Sequence, residues 1–139
     1  MANLNIINPF TSDKIATLEL NSKKEAFKIL FNAYELHKEK PNGLPKEQRI
    51  KILEHLCQLL EKNKHEIIEL STLEGGKPIQ DTKIEMDRAI EGVKLGIHAI
   101  RNISGEVIPM NLNSASENKL AYTQKKPVGV VLSISAFNH

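Results

Sequence analysis

The spacing of apolar positions changes along the chain and divides it into elements. Residues 4–20 predict two short strands around a turn. Ile6-Ile7 leads into Asn8-Pro-Phe-Thr-Ser-Asp13, which is turn chemistry, and Lys14 to Leu20 then alternates between apolar and polar. Ser22-Lys-Lys-Glu25 has the form of a capping box and predicts a helix running to about Lys40. Ala26, Leu30, Ala33 and Tyr34 form its apolar stripe, with Phe27 and Phe31 beside it. Pro41-Asn42-Gly43 breaks that helix, and Pro45 is suited to start the next. Helical spacing continues through Leu53, Leu56, Cys57 and Leu60, then through Ile67, Ile68, Leu70 and Leu73, with a break expected at Asn63. Gly75-Gly76 ends this stretch. Pro78 opens a third helical run, whose face is Met86, Ile90, Val93, Ile97 and Ile100 and which stops near Ser104-Gly105.

Beyond that point the period shortens. Residues 105–117 are rich in Asn and Ser and read as loop, with a short extended piece at Glu106-Val107-Ile108. Lys119 to Gln124 alternates as a half-exposed strand does, and Lys125-Lys126-Pro127 separates it from Val128 to Ile134. This last run is apolar on both faces, as expected of a strand buried in a parallel sheet. The fold class is therefore α/β. A β-hairpin (1–20) is followed by a helical layer (22–104), and strands in 105–139 lead into a larger sheet. Open α/β sheets bind ligands just past the carboxyl ends of such strands. Here the strand is followed by Ala136, Phe137, Asn138 and His139, where a loop into a further helix is expected. The chain reads as the N-terminal piece of a larger enzyme.

Composition narrows the functional classes. The chain has 139 residues, 40% hydrophobic and 26% charged, which fits a folded domain rather than a disordered chain. Aromatic residues are only 4%, and 19 basic against 17 acidic residues leave a net charge of +2. Neither base stacking nor a strong basic footprint is present, so neither nucleic acid nor an anionic membrane is an expected partner. Cys57 is the single cysteine, which fits a reducing compartment. The first residues lack the features of a signal peptide, and no apolar run spans a bilayer. A cytoplasmic location is expected.

Candidate chemistry is sparse. Cys57 occupies a core position, and His55 and His65 do not share its helical face, so a buried structural thiol is expected rather than a nucleophile. The five histidines follow no zinc spacing, and no metal site is expected. Gly75-Gly76-Lys77 looks superficially like a phosphate loop. It follows a helix rather than a strand and lacks Ser or Thr after the lysine, so a helix C-cap explains it better. The carboxylates, among them Glu66, Glu69, Glu74, Glu85, Asp87 and Glu91, read as solvated helix faces. Asn138 stands just past a buried strand. Two readings fit it: a turn residue, or an amide that donates to a developing oxyanion.

Three segments together resemble the N-terminal part of the aldehyde dehydrogenase superfamily. Ile7-Asn-Pro-Phe-Thr-Ser-Asp-Lys-Ile-Ala-Thr17 is similar to the family's opening NP-x-T-G-x-x-I-A hairpin. Leu73-Glu-Gly-Gly-Lys-Pro78 is similar to its E-T/G-G-K-P segment. Pro127-Val-Gly-Val-Val-Leu-Ser-Ile-Ser-Ala-Phe-Asn138 is similar to its P-x-G-V-V-x-x-I-x-P-W/F-N. The resemblance implies a Rossmann-like NAD or NADP domain with a catalytic domain and an oligomerisation arm. It also implies oxidation of an aldehyde to a carboxylic acid through a cysteine thiohemiacetal. It places Asn138 in the oxyanion hole as a catalytic residue, and Ile134, Ser135, Ala136 and Phe137 beside the cofactor. A small aldehyde as substrate and a homo-oligomer follow from the same resemblance. Ala136 stands where the family usually has proline. The family's nucleophilic cysteine, general-base glutamate and glycine-rich turn have no counterpart within these residues, and Cys57 does not match the nucleophile's motif. The chain alone is expected to be inactive. The alternative is a non-catalytic truncated remnant or interaction module that presents an unpaired strand edge and apolar helix faces.

Overall fold

A computed structural model describes residues 2–135. Strand β1 (Asn3–Ile7) pairs antiparallel with β2 (Lys14–Glu19), with Leu4 opposite Leu18 and Ile6 opposite Ala16. The register slips between Ile6 and Ile7, next to the turn. The Asn8 side chain holds that turn by accepting from the backbone N–H groups of Phe10 at 2.9 Å and Thr11 at 3.2 Å. An Asx residue before proline offers the backbone this local partner.

Four helices follow. Helix α1 (Lys23–Glu39) opens with the expected capping box. The Glu25 N–H donates to Ser22 Oγ, and the Ser22 N–H donates to Glu25 Oε2 at 2.7 Å, so two otherwise unpaired donors are satisfied. Helix α2 (Lys46–Lys62) and α3 (Lys64–Gly75) are separated at Asn63, whose side-chain N–H donates to the Leu59 carbonyl at 2.8 Å. Helix α4 (Ile79–Asn102) is the longest. Pro45 and Pro78 stand just ahead of α2 and α4, as N-caps rather than first helical residues. Their fixed φ suits either place.

Helix α4 is the centre of the packing. It lies against α2 along much of its length and against α3 at its start. Gly96 opens the α2 contact, since a Cβ there would lie 3.6 Å from Leu53 Cδ1. Ile68, Met86 and Ile90 form the core cluster, with Leu60 and Ile67 packed on it, and Ile97 is buried further along α4. Burial of each such side chain contributes about 2 kcal/mol. Thr82 is buried too, and its hydroxyl is paired with Thr72 Oγ1 at 3.1 Å. Lys64 to Asp87 at 2.5 Å and Arg101 to Glu54 at 3.4 Å tie α3 and α2 to α4 at the surface.

Strands β3 (Val107–Ile108) and β4 (Ala121–Tyr122) form a second two-stranded antiparallel pair. Between them a short 3-10 turn at Ser114–Ser116 is capped by Asn113. The alternation from Lys119 to Gln124 thus yields only two strand residues. The larger difference lies at Val128 to Ile134. Expected as a buried strand, this run has no strand partner, and Val128 is 91% and Ile134 84% exposed. A strand apolar on both faces needs neighbours for its backbone and a layer on each side. Among the described residues nothing supplies them. Helix α1 is similarly uncovered. It packs extensively on no other element, and Phe27, Phe31 and Tyr34 are each more than half exposed.

Candidate functional site

The three segments singled out in the sequence fall at different places. The first two meet. The hairpin turn seats its Pro9 and Phe10 against Gly76, at the junction of α3 and α4. Gly76 is the left-handed C-cap of α3, with φ of 60°, and its N–H donates to the Thr72 carbonyl at 2.9 Å. That N–H closes the helix and is not free to cradle a phosphate, so the C-cap reading of Gly75-Gly76-Lys77 holds. A Cβ at Gly76 would collide with Pro9 Cγ and lie 3.0 Å from Phe10 Cε2. Glycine is required here both by its backbone conformation and by the close approach of the hairpin. Beside this junction Lys77 forms an ion pair with Glu85. Its side chain is only 13% exposed, so the ammonium is held in a half-closed cleft that Asp81 and Arg88 also line.

The third segment leaves β4 and crosses the first two helices. Lys125, Lys126 and Pro127 pass the start of α2, where they share a cleft with Lys46 and Arg49. Val130 then rests over α1 and closes an apolar groove of about 330 Å³ with Phe27, Leu30, Phe31 and Tyr34. Ile134 and Ser135 end the described backbone as exposed residues outside any helix or strand. Ala136, Phe137 and Asn138 lie outside the described residues. The structure therefore locates two of the five predicted site residues.

The remaining candidates are surface features. Cys57 is half-buried on α2. His65 lies within 3.5 Å of Glu69 on the exposed face of α3. No three of His, Cys, Asp and Glu among the described residues are placed to hold a metal ion. No helix among them is long and apolar enough to cross a membrane. Among the described residues two groups carry shifted proton affinities, and both are solvated. The Ser22 hydroxyl and backbone N–H hold the Glu25 carboxyl below its ordinary range. The Asp87 carboxylate, by its hydrogen bond, raises the Lys64 ammonium above its own. Both shifts belong to helix ends and helix contacts, not to a reactive centre. Sequence reasoning did not single out the cationic cleft at Lys46, Arg49, Lys125 and Lys126. The adjacent lysines before Pro127 were a signal for it, but their distance in sequence from Arg49 hid the pairing.

Comparison with known proteins bears on what the open third segment belongs to. The profile described as the aldehyde dehydrogenase family matches residues 2–139. The chain is 30% identical over 135 residues to lactaldehyde dehydrogenase of Methanocaldococcus jannaschii, covering 97% of this chain and 28% of that protein. Among solved structures, aldehyde dehydrogenase 21 of Physcomitrella patens, in complex with succinate, superposes with a TM-score of 0.78 at 24% identity. It covers 84% of this chain and 24% of its own. Glyceraldehyde-3-phosphate dehydrogenase GapN of Methanocaldococcus jannaschii, complexed with NADP, superposes with a TM-score of 0.72 at 28% identity, over 78% of this chain and 24% of its own. The chain thus spans about a quarter of the length of the relatives it matches, and the fold it carries is an N-terminal part of theirs. With the family profile matching from end to end and the same architecture in the solved relatives, this chain belongs to the aldehyde dehydrogenase family.

Proposed function

We propose that this chain supplies the N-terminal part of an NAD- or NADP-dependent aldehyde dehydrogenase, and that by itself it oxidises no aldehyde. The observation that carries this reading is the family match from residue 2 to 139, with the three motifs in the family's order. The relative named as a lactaldehyde dehydrogenase supports a small aldehyde as substrate. The solved relative complexed with NADP supports a dinucleotide cofactor.

The chain's own residues fit one wall of such a site. Ile134 and Ser135 are open to solvent, so a planar ligand can reach them by van der Waals contact. The resemblance assigns Ala136 and Phe137 to the cofactor as well. When bound, the dinucleotide supplies the hydride acceptor. Asn138 acts on the substrate instead. Its side-chain N–H donates to the oxygen of the aldehyde as that oxygen gains negative charge. A neutral amide is suited to this because it donates without needing to change protonation, and a donor fixed beforehand loses nothing to reorganisation. The nucleophilic cysteine is not Cys57. That residue is half-buried on α2 and matches no nucleophile motif, and in this reading the nucleophile belongs to sequence further along.

The test uses the chain joined to its downstream sequence. Asn138→Ala is expected to lower turnover about a hundredfold or more, the cost of removing one oxyanion donor. Unchanged turnover in a folded variant rules that role out.

A second reading, a non-catalytic interaction module, draws on the open apolar surface of α1 and of Val128 to Ile134. In the dehydrogenase reading the same surfaces are covered by the rest of the enzyme and by a second subunit, and the protein works in the cytoplasm.

A further inference from the structure

The cleft between the start of α2 and the segment after β4 has a volume of about 340 Å³. Lys46, Arg49, Lys125 and Lys126 line it together with Asn42 and Gln124, and among the described residues no Asp or Glu does. None of the four cations takes part in an ion pair among the described residues. Lys46 is held in place because its ammonium donates to the Ile103 carbonyl. Arg49 also lines the cleft. Its Nε–H is shut away from solvent and has no acceptor among the described residues. A buried donor without an acceptor is rare, because the water it gave up has not been replaced. Four like charges around one cleft repel one another, and an anion between them removes that repulsion.

We propose that this cleft binds a phosphate group. The number of cations exceeds what one carboxylate neutralises, whereas a phosphate carries close to two negative charges and several acceptor oxygens. Its tetrahedral oxygens can take the terminal N–H groups of Arg49 on one side and the flexible ammonium groups of Lys125 and Lys126 on the other. The Asn42 and Gln124 amides supply neutral donors. Neither Ile134 nor Ser135 lines this cleft, and the proposal does not depend on the dehydrogenase reading. Free inorganic phosphate and the phosphomonoester of a small metabolite present the same chemistry.

Calorimetric titration of the 139-residue chain at fixed ionic strength tests this, with inorganic phosphate, glycerol 3-phosphate and acetate as probes. Saturable one-to-one binding of a phosphate probe is expected, with acetate binding about tenfold more weakly or not at all. Tighter binding of glycerol 3-phosphate than of inorganic phosphate identifies an organic phosphate as the ligand, and equal binding identifies the free ion. The double variant Lys125→Gln/Lys126→Gln alters only exposed loop residues and is expected to weaken binding about tenfold or more. Arg49→Met is expected to do the same. No saturable binding of either phosphate, equal binding of acetate, or full affinity in the folded double variant overturns the proposal.

Discussion

Glu25 shows how a single side chain fixes where an element begins. Its carboxylate accepts from the Ser22 N–H and hydroxyl, which stabilises the charged form and lowers its proton affinity below the ordinary value of 4.5. A carboxyl lowered in the folded state contributes stability above its unfolded value. That contribution is lost as pH falls through the folded value. Amide exchange at Ser22, expressed relative to its intrinsic rate at each pH, is therefore expected to be slow at about pH 6 and to accelerate as pH drops below the ordinary carboxylate range. In Glu25→Gln that acceleration is expected to be absent; if it persists, the capping carboxylate is not its cause. Gly76 makes the opposite kind of contribution, through the side chain it lacks. Gly76→Ala sets a β-carbon against Pro9 and forces a left-handed conformation on alanine. A loss of about 2 kcal/mol or more is expected in urea denaturation. A midpoint equal to the parent's would mean that the hairpin does not seat on the helix junction in solution.

Among the elements, α4 organises the others. Its apolar stripe was readable from the recurrence of Met86, Ile90, Val93, Ile97 and Ile100, and three of these five are buried. Ile90 is the most enclosed, at 3% exposure, and touches the cluster that α3 supplies through Ile68. Ile90→Ala is expected to cost about 2–5 kcal/mol, from lost transfer energy and the cavity left behind. Comparing its thermal unfolding with that of the parent checks this. A cost below about 1 kcal/mol would show that the cluster collapses around the gap. Helix α1 has an equally clear stripe and buries none of it. Periodicity reports which face of a helix is apolar. It does not report whether anything lies against that face.

The whole molecule has the surface of something unfinished. Its accessible area is 11,689 Å², against about 7,300 Å² expected of a compact monomer of 15.6 kDa. The exposed apolar faces of the helices and the run from Val128 to Ile134 contribute to that excess. A dinucleotide site built on that run needs the strands beside it to enclose the ligand. NAD+ and NADP+ are accordingly expected not to bind this chain measurably in calorimetry, and to bind a version extended by the downstream sequence. Saturable binding by the short chain would mean that it forms a complete site of its own, and the reading of it as part of a larger enzyme would have to be abandoned.

The capping box, the break at Asn63, the C-cap at Gly76 and the hairpin turn at Asn8-Pro9 were all legible in the sequence alone. Each depends on side chains within a few residues of the backbone groups they satisfy, so local chemistry suffices. The family was legible for a related reason, because its motifs are short runs of neighbouring residues. Tertiary structure decided what depends on distant partners. It brought Pro9 and Phe10 onto Gly76, gathered Lys125 and Lys126 against Arg49, and left Val128 to Ile134 open, where the sequence had pointed to a buried strand. A strand is completed only by backbone donors and acceptors from other segments. Residues 128–134 carry the pattern for a buried strand, but the partners that would bury them are not among the described residues.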